Sequence, residues 1–332
     1  MADPGTEFET DLLIIGAGPS GLYATYYAGF RGLRVALVDS LPELGGQVTA
    51  MYPEKLIFDV AGFPTIKGRD LVAGLVEQAA SAHPEYFLDR TATNLTHADD
   101  HVSIELDDGT VIRAGAVIIT AGIGKFSPRP LPAGDGWVGR GMEFFVPTFA
   151  PYVGKDVVVV GGGDSAFDWA LHLEPVAGSV TLVHRRDAFR AHQRTVEQVR
   201  ASSVEIVTKA QVTALLDDGS GRGVVQEVEI TVDGAEPARR PAQAVVAALG
   251  FLADLGPLQQ WGIEVLKRHI VVDGSMRTSL PRVFAAGDIT EYSGKVRLIA
   301  VGFGEAATAV NNAAVVIDPT AHVFPGHSSE GS

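Results

Sequence analysis

One pattern occurs twice at a fixed spacing, and it limits the folds open to this chain more than any other feature. Residues 12–16, Leu-Leu-Ile-Ile-Gly, read as a strand buried on both faces. Gly16-Ala-Gly18-Pro19-Ser20-Gly21 follows, then a helical pattern over 22–30 and a second apolar strand over 34–38 that ends at Asp39. The order returns as a strand at 156–160, then Gly161-Gly162-Gly163-Asp164-Ser165-Ala166, a helix over 167–173 and a strand over 180–183 ending at His184. Gly16 and Gly161, Gly18 and Gly163, Gly21 and Ala166, and Asp39 and His184 are each 145 residues apart. A lone G-x-G-x-x-G is a weak signal. Two of them in strand–turn–helix–strand context, in one internal register, predict an α/β chain with two dinucleotide-binding βαβ units.

The chemistry of a bound pyrophosphate accounts for the spacing. The first glycine permits a tight turn, the second lets the backbone approach the phosphates, and the third position must be small for the helix to pack on the strand. N–H groups at the helix N-terminus then face the anion. In copy one these positions are Gly16, Gly18 and Gly21, with Pro19 and Ser20 between; in copy two they are Gly161, Gly163 and Ala166, with Asp164 and Ser165 between.

The copies differ where their second strands end. Asp39 offers a carboxylate to ribose hydroxyls and repels a 2′-phosphate. His184-Arg185-Arg186, with Arg190 four residues on, offers guanidinium forks suited to phosphate, and so to NADP. The competing reading is a solvated basic helix face that starts at Arg185 and also holds Arg194. Copy one is open to NAD or FAD. Leu44-Gly45-Gly46-Gln47 supplies a flexible turn with an amide able to meet a flavin ring. Val283-Phe-Ala-Ala-Gly287-Asp288 reads as an apolar strand ending in Gly-Asp, which places Asp288 to hold a ribityl chain, or as an ordinary turn. Gly302-Phe-Gly304-Glu305 is expected to open a helix that runs to about Ile317, stopped by Asp318-Pro319. Its N-terminus would stabilise a reduced flavin, or it is a plain alanine-rich core helix.

Composition narrows the function. The sequence has no cysteine, which removes structural disulfides, thiolate metal sites and dithiol redox chemistry. No histidine cluster has metal-ligand spacing, so no metal is expected. A net charge of −14 argues against nucleic acid and restricts an acidic partner to a local basic patch. Lys55, Lys67, Arg69, Arg129 and Arg140 are the candidates for such a patch. The first eight residues do not read as a secretory signal, and no apolar run approaches the roughly 20 residues that span a bilayer. A soluble cytoplasmic protein without a membrane partner is expected.

Several segments together resemble the thioredoxin-reductase-like ferredoxin/flavodoxin–NADP reductases over nearly the whole chain. They are GAGPSG (16–21), LGGQ with YPEK and DVAGFP (within 44–64), ITAG (119–122), GGGDSAFDWAL (161–171), HRRDAFRAH (184–192), LGPLQQWGIEV (255–265), FAAGD (284–288), GFGEAATAVNNA (302–313) and PGHSS (325–329). The resemblance implies two Rossmann-like domains of the three-layer ββα kind, with the NADP domain inserted into the FAD domain. It assigns 1–122 and 251–332 to FAD and 123–250 to NADP, the return point lying somewhere in 250–280. It implies a homodimer, with Tyr52 and His327 flanking the two flavin faces and the His327 tail offered in cis or by a partner subunit. Gly46, Gln47, Gly122, Phe126, Asp288, Gly304 and Ser328 are the further FAD positions it implies. On residue type alone, Tyr52 before Pro53 is equally a loop anchor, and residues 320–332 equally a frayed terminus.

Thioredoxin reductases carry their dithiol just before the second glycine motif, where this chain reads Gly141-Met-Glu-Phe-Phe-Val-Pro147. The flavin must therefore reduce an external acceptor directly. The implied reaction is hydride transfer from NADPH to FAD, then single-electron transfer to a ferredoxin or flavodoxin, with no side-chain acid, base or nucleophile required. The alternatives are an NADPH-dependent flavin reductase of quinones or other small acceptors, and a non-enzymatic redox-sensing flavoprotein.

Overall fold

The computed structural model describes residues 6–217, 219, 223–324 and 326. Two compact units divide the chain. One is formed by the chain up to Lys125 and from Ala253 onward, the other by Phe126–Leu252.

The first unit is built on β1 (Glu7–Ile15), α1 (Pro19–Phe30) and β2 (Val35–Asp39). β1 pairs in parallel with β2 on one side, Leu12 opposite Val35, and with the strand Val111–Ile119 on the other, Leu12 opposite Ala116. Glu85–Leu88 extends the parallel layer beyond β2. Val283–Ala285 extends it on the far side, pairing with the carboxyl end of Val111–Ile119. The amino end of that same strand pairs antiparallel with Val102–Leu106, which pairs with Ala92–His97. After the short α2 (Gln47–Met51), α1 packs against α3 (Gly68–Ala80) and against the last helix, α6 (Ile299–Ile317). A parallel layer covered on both faces needs apolar side chains pointing both ways, and Leu12, Leu13 and Ile14 are all fully buried.

The second unit repeats the plan. Its parallel strands run in the order Met142–Glu143, Ala244–Ala247, Asp156–Val160, Ser179–His184 and Glu205–Thr208. Helix α4 (Asp164–Leu173) follows the glycine turn, and α5 (Gln193–Ala201) packs on it. An antiparallel layer of Ala210–Leu216, Glu227–Val232 and Ala238–Pro241 completes the unit. The expected α/β class, two Rossmann-like units with one inserted into the other, is what the chain adopts.

Several local expectations are corrected. Helices α1 and α4 start at Pro19 and Asp164, each three residues before the apolar pattern begins. Residues 185–192 form bends and loop, so no basic helix face starts at Arg185, and Arg194 belongs to α5. Gln47 is the first residue of a helix and not part of a flexible turn. Helix α6 begins at Ile299, so Gly302 and Gly304 lie inside it. Helix α6, with 19 residues, is also long and apolar enough by length and composition to cross a membrane, although Glu305, Asn311 and Asn312 interrupt its apolar run. Gly302, Ala306, Ala309, Val310 and Ala313 are buried within the unit, as in a core helix.

Candidate functional site

In the first unit, the turns at the carboxyl ends of the parallel strands converge. Gly16 follows β1 with φ +112°, and a Cβ there would lie 2.6 Å from the Thr120 carbonyl oxygen. A Cβ on Gly21 would lie 1.8 Å from the Gly16 carbonyl oxygen. The Thr120 hydroxyl donates to the carbonyls of Gly16 at 2.7 Å and Ile15 at 3.2 Å. Glycine is required at these two positions because backbone crosses backbone. Gly18 differs: its φ is −70° and nothing lies within 4 Å of its Cβ position. Helix α1 has no side-chain cap, so its first N–H groups have no side-chain acceptor and could serve a pyrophosphate. Pro19 occupies the first helical position, where it has no N–H to lose. The Ser20 hydroxyl fills the room left by two glycines; a Cβ on Gly287 or Gly302 would lie 2.8 or 2.4 Å from it.

Asp39 closes β2, nearly buried. Its Oδ2 accepts the Ala17 N–H at 2.5 Å and its Oδ1 accepts the Leu41 N–H at 2.8 Å. Burial pushes its carboxyl up, and those two donors act against the shift. Each oxygen keeps a second lone pair for a ribose hydroxyl. Gly46 approaches Gly18 so closely that a Cβ on it would lie 2.9 Å from the Gly18 Cα. The Gln47 amide nitrogen lies 2.8 Å from the Cβ position of Gly122. Tyr52 caps the C-terminus of α2. Its phenol is pushed up to about 12, first by burial and then by Asp288 and Asp59, which keeps it neutral beside those carboxylates. Burial pushes the Asp288 carboxyl up, against Lys295 and Arg297.

The structure separates or leaves aside some expected positions. The free N–H groups of α6 belong to Ile299, Ala300 and Val301, because the Gly302 N–H already donates to Leu298. Gly304 instead lines a cavity of about 680 Å3 with Val272, Met276, Tyr292 and Thr308. Phe126 lies on the strand Lys125–Pro128, which pairs with Phe251–Asp254. His327 and Ser328 lie outside the described residues.

In the second unit, a Cβ on Gly161 would lie 2.3 Å from the Ala248 carbonyl oxygen and 2.8 Å from the Ala166 Cβ. Nothing lies within 4 Å of the Gly163 Cβ position, and α4 also lacks a side-chain cap. The His184 ring occupies the place where a side chain of Gly162 would go, 2.2 Å from that Cβ position. Burial holds the His184 ring below the usual range, and Arg185, Arg186 and Arg190 act the same way. These arginines are exposed and form no ion pair among the described residues. The Arg190 N–H donates to the Gly162 carbonyl at 2.8 Å, which ties the arginine loop to the glycine turn. Asp164 uses its carboxylate on the same loop, accepting the His192 N–H at 2.8 Å, and Ser165 is exposed beside it.

Three of the five basic candidates lie at one short hairpin and the start of α3 that follows it. Leu56 pairs with Lys67, Lys55 lies 5.9 Å from the Tyr52 ring centroid, and Arg69 follows directly. Glu54 pairs with both Lys67 and Arg69, so the patch is only weakly positive. Arg140 packs on Trp137 in the other unit. Sequence reasoning missed Thr120, whose hydroxyl locks the first turn, and a buried Lys295–Glu305 pair at 2.5 Å. An acid in the middle of the otherwise uncharged Gly302–Ala313 segment was the available signal for Glu305.

Residues 10–313 match the pyridine nucleotide-disulphide oxidoreductase family. The chain is 78% identical to a ferredoxin–NADP reductase of Nocardioides sp. over 98% of both chains. It is 63% identical to a ferredoxin–NADP reductase of Salinispora arenicola over 98% of this chain and 99% of that one. Among solved structures, T. acidophilum thioredoxin reductase superposes with a TM-score of 0.78 at 26% identity, over 94% of this chain and 99% of that one.

The glycines separate fold from binding. Gly16→Ala must hold a positive φ, which costs about 1–3 kcal/mol before the collision with Thr120. It should lower the apoprotein's unfolding temperature. Gly18→Ala and Gly163→Ala should leave stability within about 0.5 kcal/mol yet weaken nucleotide binding in their own units only. Calorimetry of the apoproteins and nucleotide titration read the two effects. A Gly18→Ala protein that unfolds early and binds normally would reverse the assignment.

Proposed function

This chain belongs to the pyridine nucleotide-disulphide oxidoreductase family, and from that premise we propose that it is an FAD-dependent ferredoxin (or flavodoxin)–NADP reductase. The observation that carries the reading is the pair of uncapped glycine turns with unlike ribose-side groups, Asp39 in one and His184-Arg185-Arg186 in the other. The names of the two bacterial relatives support the same activity. FAD, when bound, supplies the exchange between a two-electron hydride and single electrons. In the first unit, α1 offers its N–H groups to the pyrophosphate, Asp39 takes the adenosine ribose, Asp288 takes the ribityl chain and neutral Tyr52 flanks the ring. In the second, α4 receives the NADP pyrophosphate, and Arg185 and Arg186, with Arg190 near, take the 2′-phosphate. No cysteine stands near the second turn to relay electrons, so they leave for a soluble one-electron carrier. The hairpin of Lys55, Lys67 and Arg69 beside Tyr52 is where an acidic carrier would dock, with Arg129 as a further basic candidate. His327 keeps its flavin-flanking role and Ser328 its place among the FAD positions as part of this reading, and the location is cytoplasmic.

Stopped-flow reduction by NADPH, followed by mixing with ferredoxin, flavodoxin or quinone, tests the activity. Fast reoxidation by ferredoxin or flavodoxin is expected. Transfer to quinone alone would make the chain a small-acceptor reductase, and reduction without transfer to any of the three would make it a sensor.

Cofactor choice has its own test. Arg185→Ala with Arg186→Ala should lower kcat/KM for NADPH about tenfold or more, the scale of a lost charge-assisted contact, and leave NADH use nearly unchanged. Equal losses with both cofactors would make these arginines structural.

The proposed assembly is a homodimer. An aromatic run supports it: Tyr23 lies 5.1 Å from Phe303 and 6.2 Å from Tyr27, and Tyr27 lies 5.7 Å from the half-exposed Phe30. Such a face on a single chain calls for cover. Sedimentation equilibrium should give twice the chain mass, and a monomer at micromolar concentration would remove this part of the reading.

A further inference from the structure

Two opposite charges are buried together in the first unit, and the chemistry above uses neither. The Lys295 side chain is 2% exposed and that of Glu305 is 5% exposed. Glu305 lies in the second turn of α6, and Lys295 lies in the irregular segment before that helix. Glu305 Oε1 accepts Lys295 Nζ at 2.5 Å and the Tyr292 hydroxyl at 2.6 Å. Its Oε2 accepts the Gly287 N–H at 2.7 Å, with the Thr290 hydroxyl at 3.4 Å. Lys295 Nζ also donates to the Gly287 carbonyl at 3.0 Å. The pair therefore grips both polar groups of one residue: Glu305 holds the N–H of Gly287 and Lys295 holds its carbonyl.

Gly287 is the residue directly before Asp288. Its φ is +82°, and the Ser20 hydroxyl stands where its side chain would be. The turn that presents Asp288 is thus fixed from below by the ion pair and from the α1 side by Ser20. Removing two charges from water is costly, and apolar replacements of such pairs are often neutral or stabilising. Core stability is a poor reason for this pair to be here; directing a neighbouring group is a better one.

We propose that Lys295 and Glu305 form a positioning pair that clamps Gly287 and so sets Asp288 against the ribityl chain of FAD. The inference rests on the FAD reading of the first unit. Neither residue of the pair touches the cofactor; both act through the Gly287–Asp288 backbone. Three side observations agree. Tyr292 is pushed up to about 12, by burial first and then by Glu305, so its hydroxyl stays a donor to the carboxylate. Thr290 donates through both N–H and hydroxyl to the same Gly287 carbonyl, at 3.1 and 2.8 Å. On Asp288 the two members of the pair act in opposite senses, Lys295 against the upward push of burial and Glu305 with it, so the pair acts there on position and not on charge.

The test uses the full-length protein stripped of flavin and titrated with FAD. Either single substitution leaves one buried charge unpaired and risks the fold. The double variant Lys295→Met with Glu305→Gln buries no net charge, and is expected to fold with a native circular-dichroism spectrum. It should bind FAD about tenfold or more weakly, the scale of a lost hydrogen bond to a charged group, with a shifted visible flavin band. Asp288→Ala should weaken wild type to a similar degree and add little to the double variant, because both routes remove the same contact. Lys295→Arg, which keeps the charge, should bind with nearly wild-type affinity and spectrum. Wild-type affinity and spectrum in the double variant would overturn the proposal, as would full additivity with Asp288→Ala or no effect of Asp288→Ala alone. A wild-type apoprotein that fails to take up FAD would overturn the FAD reading itself, and this inference with it.

Discussion

Everything in the first unit depends on how close the chain comes to itself beyond β1. Gly16 runs against the backbone of Thr120, and Gly21 runs against Gly16. That contact brings the start of α1 down onto the gap between β1 and Val111–Ile119. Because the chain leaves β1 toward β2 while its other neighbour belongs to a later segment, this gap is a switch point of the strand order. A helix entering at a switch point has its N-terminus over a crevice and no neighbouring loop to cap it. The second unit meets the same condition with Gly161 against Ala248. Tight crossing and open N-terminus are one geometric event, seen from below and from above.

The unlike chemistry of the two turns comes from a single exchange at the end of the second strand. In the first unit, Asp39 is short enough to accept the Ala17 N–H, and Ala17 has room for its methyl group. In the second, the imidazole of His184 lies over the position that matches Ala17, and only glycine fits beneath it. A carboxylate beside the first turn repels a second phosphate. The His184 ring, its pKa lowered by burial and by neighbouring arginines, puts no carboxylate there, and the guanidinium groups face solvent. The triple glycine of the second motif therefore makes room for the histidine ring as well as for the proposed pyrophosphate.

These contacts also explain what could be read from the sequence. The strands at 12–16 and 156–160 were plain because burial on both faces writes an uninterrupted apolar run. The constant spacing of the two motifs was plain because Gly16, Gly21 and Gly161 answer to backbone collisions and not to a propensity. The helix starts were not plain. Helices α1, α4 and α6 each begin three residues earlier than their patterns suggest, and none carries the Ser, Thr, Asp or Asn cap that marks a start. A side-chain cap would occupy the N–H groups an anion needs, so the usual boundary signal is missing where binding is proposed. The Lys295–Glu305 pair was hidden for another reason: its partners are brought together by an irregular loop with no periodicity to read. The clustering of Lys55, Lys67 and Arg69 required the Leu56–Lys67 hairpin, and the Glu54 pairing that weakens it was equally invisible.

Helix α6 illustrates how a buried charge decides between readings that hydropathy leaves equal. By length and composition it would suit a bilayer. In hydrocarbon, however, Glu305 would face acyl chains with no donor, at a cost of several kcal/mol or protonation of the acid. Within the folded unit it finds Lys295, Tyr292, Thr290 and the Gly287 N–H within hydrogen-bonding distance. All four partners belong to one stretch of chain that immediately precedes the helix. The helix can satisfy its carboxylate only by folding back over the turn at the carboxyl end of Val283–Ala285, and this places its own uncapped N-terminus at the same edge of the sheet as Gly16, Gly122 and Asp288.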